Sequence, residues 1–90
     1  MIINRLEFIE RVHIDEGTLE IWLSEQWLLP NRMLPDLEFS AIDLARAELI
    51  LDLQHQLGVN EEGIGIILDL VDQLHGVRKV LSEVLTPVAD

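Results

Sequence analysis

Ninety residues make a single domain, 1–90. Seventeen acidic residues against six basic ones leave a formal charge of −11. A surface with that balance repels phosphate, so nucleic acid and anionic lipid are disfavoured as partners and no DNA contact is expected. There is no cysteine, which excludes disulfides, a thiolate metal site and a thiol nucleophile and fits a cytoplasmic protein.

The apolar fraction is 49% and the mean hydropathy +0.26, enough for the chain to fold rather than stay disordered. A domain of this size buries only about 60–65% of its unfolded surface, so this much apolar content points to association. The start, Met1-Ile2-Ile3-Asn4-Arg5, lacks the long apolar run of a signal peptide. No stretch approaches the ~20 apolar residues of a membrane span.

Helix starts are legible from their caps. Asn4-Arg5-Leu6-Glu7 has an acceptor at the cap and a carboxylate three residues on, which predicts a first helix from Arg5 to about Val12. Asp15 caps a second helix, with Glu16 in its first turn and Leu19, Trp22 and Leu23 on its buried face. Only His13 and Ile14 separate the two, so residues 4–27 read as a helix-turn-helix. Residues 28–39 hold Pro30 and Pro35 between apolar Leu28-Leu29 and Leu37/Phe39 and read as a small β wing.

Ser40-Ala41-Ile42-Asp43 opens a third helix, 41–57, with another S-x-x-acid cap. Its expected inward face is Ile42, Ala45, Leu49, Ile50, Leu53 and Leu57, and Gly58 ends it. Asn60 caps a long last helix, 60–85, with Glu61 and Glu62 in the first turn and Pro87 beyond its end.

That last helix carries two adjacent apolar stripes. Ile66, Leu70, Val77, Val80 and Val84 form one; Ile67, Val71, Leu74, Leu81 and Leu85 form the other. Gly65, Asp69, Asp72, Gly76, Lys79 and Glu83 share the remaining strip. A helix apolar over more than half its circumference needs two partners. The first stripe is expected to face its own domain. The second, at Ile67, Val71, Leu74, Leu81 and Leu85, fits a heptad seam broken by Arg78 and is expected to face a second copy in a homodimer.

With these elements in place the chain resembles a MerR-like winged helix-turn-helix domain. The resemblance lies in Trp27-Leu28-Leu29-Pro30, similar to that family's exit from the second helix, and in Phe39 to Arg46, similar to its entry to the third. A closer resemblance, over nearly the whole chain, is to the chaperone modulator CbpM family. It is carried by Arg46 to Gly63 (RAELILDLQHQLGVNEEG) and by Ile67 to Gly76 (ILDLVDQLHG). That resemblance implies a mostly α fold, and a small cytoplasmic protein that binds the J-domain of a DnaJ- or CbpA-like co-chaperone. It further implies restraint of that co-chaperone's partnership with DnaK and of its association with DNA.

The chain departs from the MerR pattern where DNA would be touched. Leu37-Glu38-Phe39-Ser40 puts Glu38 near the place of a wing arginine. The second helix carries Glu16, Glu20 and Glu25 there and no lysine or arginine. A DNA-binding dimeric regulator, the alternative, has only Arg5, Arg11 and Arg32 to offer in this half.

The surplus of acid is spread over both halves: 3 basic and 8 acidic residues, −5, in 1–40, and 3 basic and 9 acidic, −6, in 41–90. A cationic partner is therefore expected, and the resemblance implies that the J-domain presents a basic helix. Candidate docking residues are Glu16, Glu20, Asp43, Glu48, Asp52 and Trp27; the competing reading of the carboxylates is a merely solvated face, and of Trp27 packing under the wing. His13, His55 and His75 lie in separate regions with no second histidine at i+3 or i+4, so no metal is expected. No P-loop, G-x-S-x-G, H-E-x-x-H or Rossmann pattern occurs, so neither a cofactor nor an enzyme is expected.

Overall fold

The computed structural model describes residues 2–32 and 36–85. Four helices follow one another: α1 (Arg5–Val12), α2 (Glu16–Ser24), α3 (Ala41–His55) and α4 (Glu61–Leu85). The starts form where the caps predict. Asn4 Oδ1 accepts from Glu7 N at 2.8 Å, Asp15 Oδ1 from Thr18 N at 2.7 Å and Asn60 Oδ1 from Gly63 N at 2.8 Å. Each supplies an acceptor to an amide that the first helical turn leaves unpaired.

The stops are built less conventionally. α1 turns at His13 and α2 at Gln26, both left-handed at φ 62°, and the chain turns after α3 at Gly58, φ 63°. At the end of α2, Trp27 N donates to Trp22 O at 2.9 Å and Gln26 N to Leu23 O at 3.1 Å. This pair of bonds is a Schellman motif, which satisfies carbonyls the helix would otherwise orphan.

Between α2 and α3 the described residues of the wing form single antiparallel bridges. Asn31 pairs with Glu38, and Phe39 with Ile3 from the start of the chain. The expected tip at 33–35 falls outside the described residues. The bridges place Phe39 over Phe8, with ring centroids 4.3 Å apart and planes at 20°. Trp22, Leu19, Ile3, Leu28, Ile50 and Ile64 complete the core around this stack.

α3 packs against both α1 and α4, but not on the face its apolar residues suggest. Ile50 and Leu53 are buried and Leu49 half-buried, whereas Ile42 is 65% and Leu57 72% exposed, and Ala45 is exposed as well. The buried stripe is Asp43, Arg46, Ala47, Ile50 and Leu53. Those positions follow i, i+3, i+4, i+7, i+10 and so form one helical face. The helix is rotated toward two charged residues because both have backbone partners waiting, described below.

Among the described residues, α4 is anchored by its first half. Ile64 and Leu68 are buried, and Ile67 and Val71 half-buried beside them. The stripe expected to face the domain does not: Ile66, Leu70, Val77, Val80 and Val84 are all exposed. From Asp72 to Val84 every residue is exposed, so the second half of the helix runs out over solvent.

Candidate protein-docking surfaces

Asp43 and Arg46 tie three elements together beneath the surface. Asp43 is completely buried. Its Oδ1 accepts from Leu29 N at 2.6 Å, and its Oδ2 from Ser40 N at 3.1 Å and, more loosely, from Ser40 Oγ at 3.4 Å. One carboxylate thus holds the exit of α2 and closes the N-terminal cap of α3. One turn on, Arg46 donates from Nε to the carbonyl of Trp27 at 2.5 Å and from Nη1 to Asp72 Oδ1 on α4 at 2.7 Å. Among the described residues no buried side-chain nitrogen or oxygen lacks a partner. Buried charge is tolerated here because it is paired and hydrogen-bonded.

Two expected docking residues are thereby corrected. Asp43 cannot meet a partner, because its oxygens are engaged with backbone amides inside the fold. Trp27 is only 3% exposed; its carbonyl is held by Arg46, and its indole nitrogen lies 3.7 Å from where a Cβ on Gly65 would stand. It is buried beside α4 rather than offered to a partner. Both signals were in the sequence: an S-x-x-D cap commits its acid to the backbone, and acid and base at i, i+3 suit a shared face.

A groove of about 1000 Å³ opens beside this network, between the exit of α2 and α4. Arg46, Trp27 and Leu68 line its inner side, with Arg32, Glu25, Asp69 and Asp72 around it. The charges alternate, so the groove has no single electrostatic preference.

Glu16 and Glu20 are exposed on α2, but Arg5 of α1 already holds them. Arg5 Nε donates to both Glu16 oxygens, at 2.7 and 3.0 Å, and Nη2 pairs with Glu20. The Glu16 hydrogen bond is the main reason the Arg5 guanidinium binds its proton more tightly than usual; burial opposes it, and Glu20 adds a further pull in the same direction as Glu16. Arg5 is therefore committed inside the helix-turn-helix. Arg11 and Arg32 are exposed.

Glu48 and Asp52 stand differently. Both are exposed, and at 100° per residue they lie opposite the buried stripe of α3. They form the acidic face of α3 that points away from the core. On α4, of the residues expected at a dimer contact, Leu74 and Leu81 are exposed, Val71 is half-buried, and Ile67 packs against its own core. Leu85 lies outside the described side chains.

Among the described residues no cluster of three or more histidine, aspartate or glutamate side chains is placed to hold a metal ion. No described helix is long and apolar enough to cross a membrane.

A family model described as MerR HTH family regulatory protein matches residues 3–84. No curated protein and no solved structure matches the chain. The matched span begins at the Ile3 bridge and takes in the helix-turn-helix, the wing, α3 and nearly all of α4. The chain belongs to the MerR HTH family of regulatory proteins.

Proposed function

We propose that this protein is a non-catalytic modulator that binds a cationic protein surface, the basic J-domain face of a DnaJ- or CbpA-like co-chaperone, and restrains it by occupying that face. The observation that carries the reading is the outward face of α3, where Glu48 and Asp52 stand exposed on a chain of charge −11. Charge of one sign on a rigid helix steers an oppositely charged partner and raises its on-rate. The CbpM resemblance of residues 46–63 and 67–76 supports the identity of the partner. No cofactor and no covalent step are needed; the work is steric and electrostatic, in the cytoplasm.

The family match gives a second reading, a DNA-binding regulator. Its natural reading helix, α2, shows Glu16 and Glu20 to solvent, and Arg5 is engaged in holding them. Such a face opposes the counterion release that drives DNA binding.

Charge reversal separates the two. In Glu48→Lys/Asp52→Lys both side chains are on the surface, so the fold is retained. Affinity for an isolated J-domain falls roughly tenfold at low salt, the size expected for losing two exposed pairs, and its salt dependence flattens. Unchanged affinity removes α3 from the site.

A further inference from the structure

We infer that the groove between the exit of α2 and α4 binds the free C-terminus of a peptide that ends in a basic residue. Two donors in its floor carry the inference. Arg46 is 8% and Trp27 3% exposed, and both line the groove. Arg46 uses Nε on the carbonyl of Trp27 and Nη1 on Asp72. Its Nη2 and the Trp27 indole Nε1 have no hydrogen-bond partner among the described residues. No described side-chain nitrogen or oxygen that is cut off from solvent lacks a partner, so both N–H groups keep an open edge, and the groove is where their residues meet solvent. Two donors on side chains locked by packing are preorganised for one acceptor group.

Gly65 keeps the indole approachable. It lies within α4 on the wall of the groove, although glycine inside a helix is disfavoured relative to alanine. A Cβ at this position would stand 3.7 Å from Trp27 Nε1 and would meet no other atom within 4 Å beyond its own helix. Packing therefore leaves room for a methyl group, and what its absence opens is the indole N–H.

Charge names the ligand. A carboxylate takes both floor donors in charge-assisted hydrogen bonds, and Arg32, exposed on the same groove, adds attraction. Asp72 is already paired with Arg46. Glu25 and Asp69 also line the groove and are exposed. On a chain of −11 they repel a bare anion and favour a ligand that carries a cation beside its carboxylate. A C-terminal lysine or arginine carries both. The volume of about 1000 Å³ is at the top of the usual range for small-ligand pockets, about 300–1000 Å³, and suits the last residues of a chain better than a free amino acid. The site is independent of the acidic face of α3. Arg46 lies on the buried stripe, opposite Glu48 and Asp52, so failure at either face leaves the other reading standing.

The chain has two tryptophans, of which Trp27 lines this groove and Trp22 does not, so proton–nitrogen correlation spectra of the full chain carry their own reference. Titration with acetyl-Ala-Ala-Lys bearing a free carboxylate is expected to move the Trp27 indole N–H downfield and to saturate with a Kd below about 1 mM, leaving Trp22 in place. Amidating the peptide is expected to weaken it at least about tenfold, and replacing its lysine by norleucine about threefold. Sodium acetate is expected to give no saturating shift. Gly65→Ala is expected to raise the melting temperature, since alanine favours the helix, and yet to weaken the peptide at least about tenfold by covering the indole. Should that variant disturb α4, Arg32→Glu on the surface provides the second readout, a loss of about threefold. An indole signal that does not move, that moves together with Trp22, or that responds equally to the amidated peptide overturns the site. So does a folded Gly65→Ala that binds as tightly as wild type.

Discussion

Replacing Asp43 by alanine tests the view that this carboxylate is structural. It accepts from two backbone amides, Leu29 N and Ser40 N, in a fully buried position. Removing the acceptor strands both donors. Each buried donor without a partner costs about 1–3 kcal/mol, and the small cavity adds to this. A loss of about 2–6 kcal/mol follows, against a total of about 5–15 kcal/mol for a domain. At ~4–8 °C per kcal/mol for a domain of this size, the melting temperature falls by at least about 8 °C. Asp43→Asn keeps one carbonyl acceptor and is expected to lose about half as much. The measurement is urea and thermal unfolding by circular dichroism at one fixed protein concentration, since any self-association makes the midpoint concentration-dependent. Glu48→Ala serves as the control and stays within about 0.5 kcal/mol of wild type. If Asp43→Ala unfolds like that control, the buried network does not hold α2 to α3.

Other expectations are simpler to check. Gln26→Gly relieves a left-handed side chain at φ 62° and is expected to stabilise by about 1 kcal/mol, whereas Gly58→Ala at φ 63° costs a similar amount; opposite signs in unfolding experiments would refute both. The Thr18 backbone amide, aided by its side chain, holds the Asp15 carboxyl below its ordinary value. That cap therefore contributes stability above the unfolded pKa of about 3.9, lost as the pH falls through the lower folded value. Asp15→Asn should flatten stability against pH between about 5 and 2; an unchanged profile would contradict it. Arg5→Ala breaks only surface pairs with Glu16 and Glu20, so stability is expected to change by at most about 1 kcal/mol. The same variant bares two carboxylates and is expected to strengthen, not weaken, binding of a cationic protein.

The elements of the fold were legible because each start has a capping side chain that acts within three residues of itself. Asn4, Asp15, Ser40 and Asn60 mark helix starts on local chemistry alone. The ends were harder, since among the described residues two of the three left-handed turns use His13 and Gln26 rather than glycine, the residue that ordinarily signals such a turn. The burial of α3 was misread for a similar reason. Hydropathy ranks Ile42 and Leu57 above Asp43 and Arg46, yet the carbonyl of Trp27 and the amide of Leu29 need partners, and only charged side chains on α3 supply them. For α4, periodicity revealed two apolar stripes but not which one the domain takes. The core chose a third line, through Ile64 and Leu68, and left Leu70, Leu74, Val77, Leu81 and Val84 exposed. Within the acidic surface the net charge was plain from composition; that Arg5 engages Glu16 and Glu20 while Glu48 and Asp52 stand clear depends on the packing of α1 on its neighbours.

The most direct test of the central claim is calorimetric titration of the full chain with the J-domain of a DnaJ-like co-chaperone, and separately with duplex DNA, at low and moderate salt. Micromolar or tighter J-domain binding that weakens with salt, with no heat from DNA, is the expected result. Binding to DNA with no response to the J-domain would contradict the account and leave the regulator reading in its place.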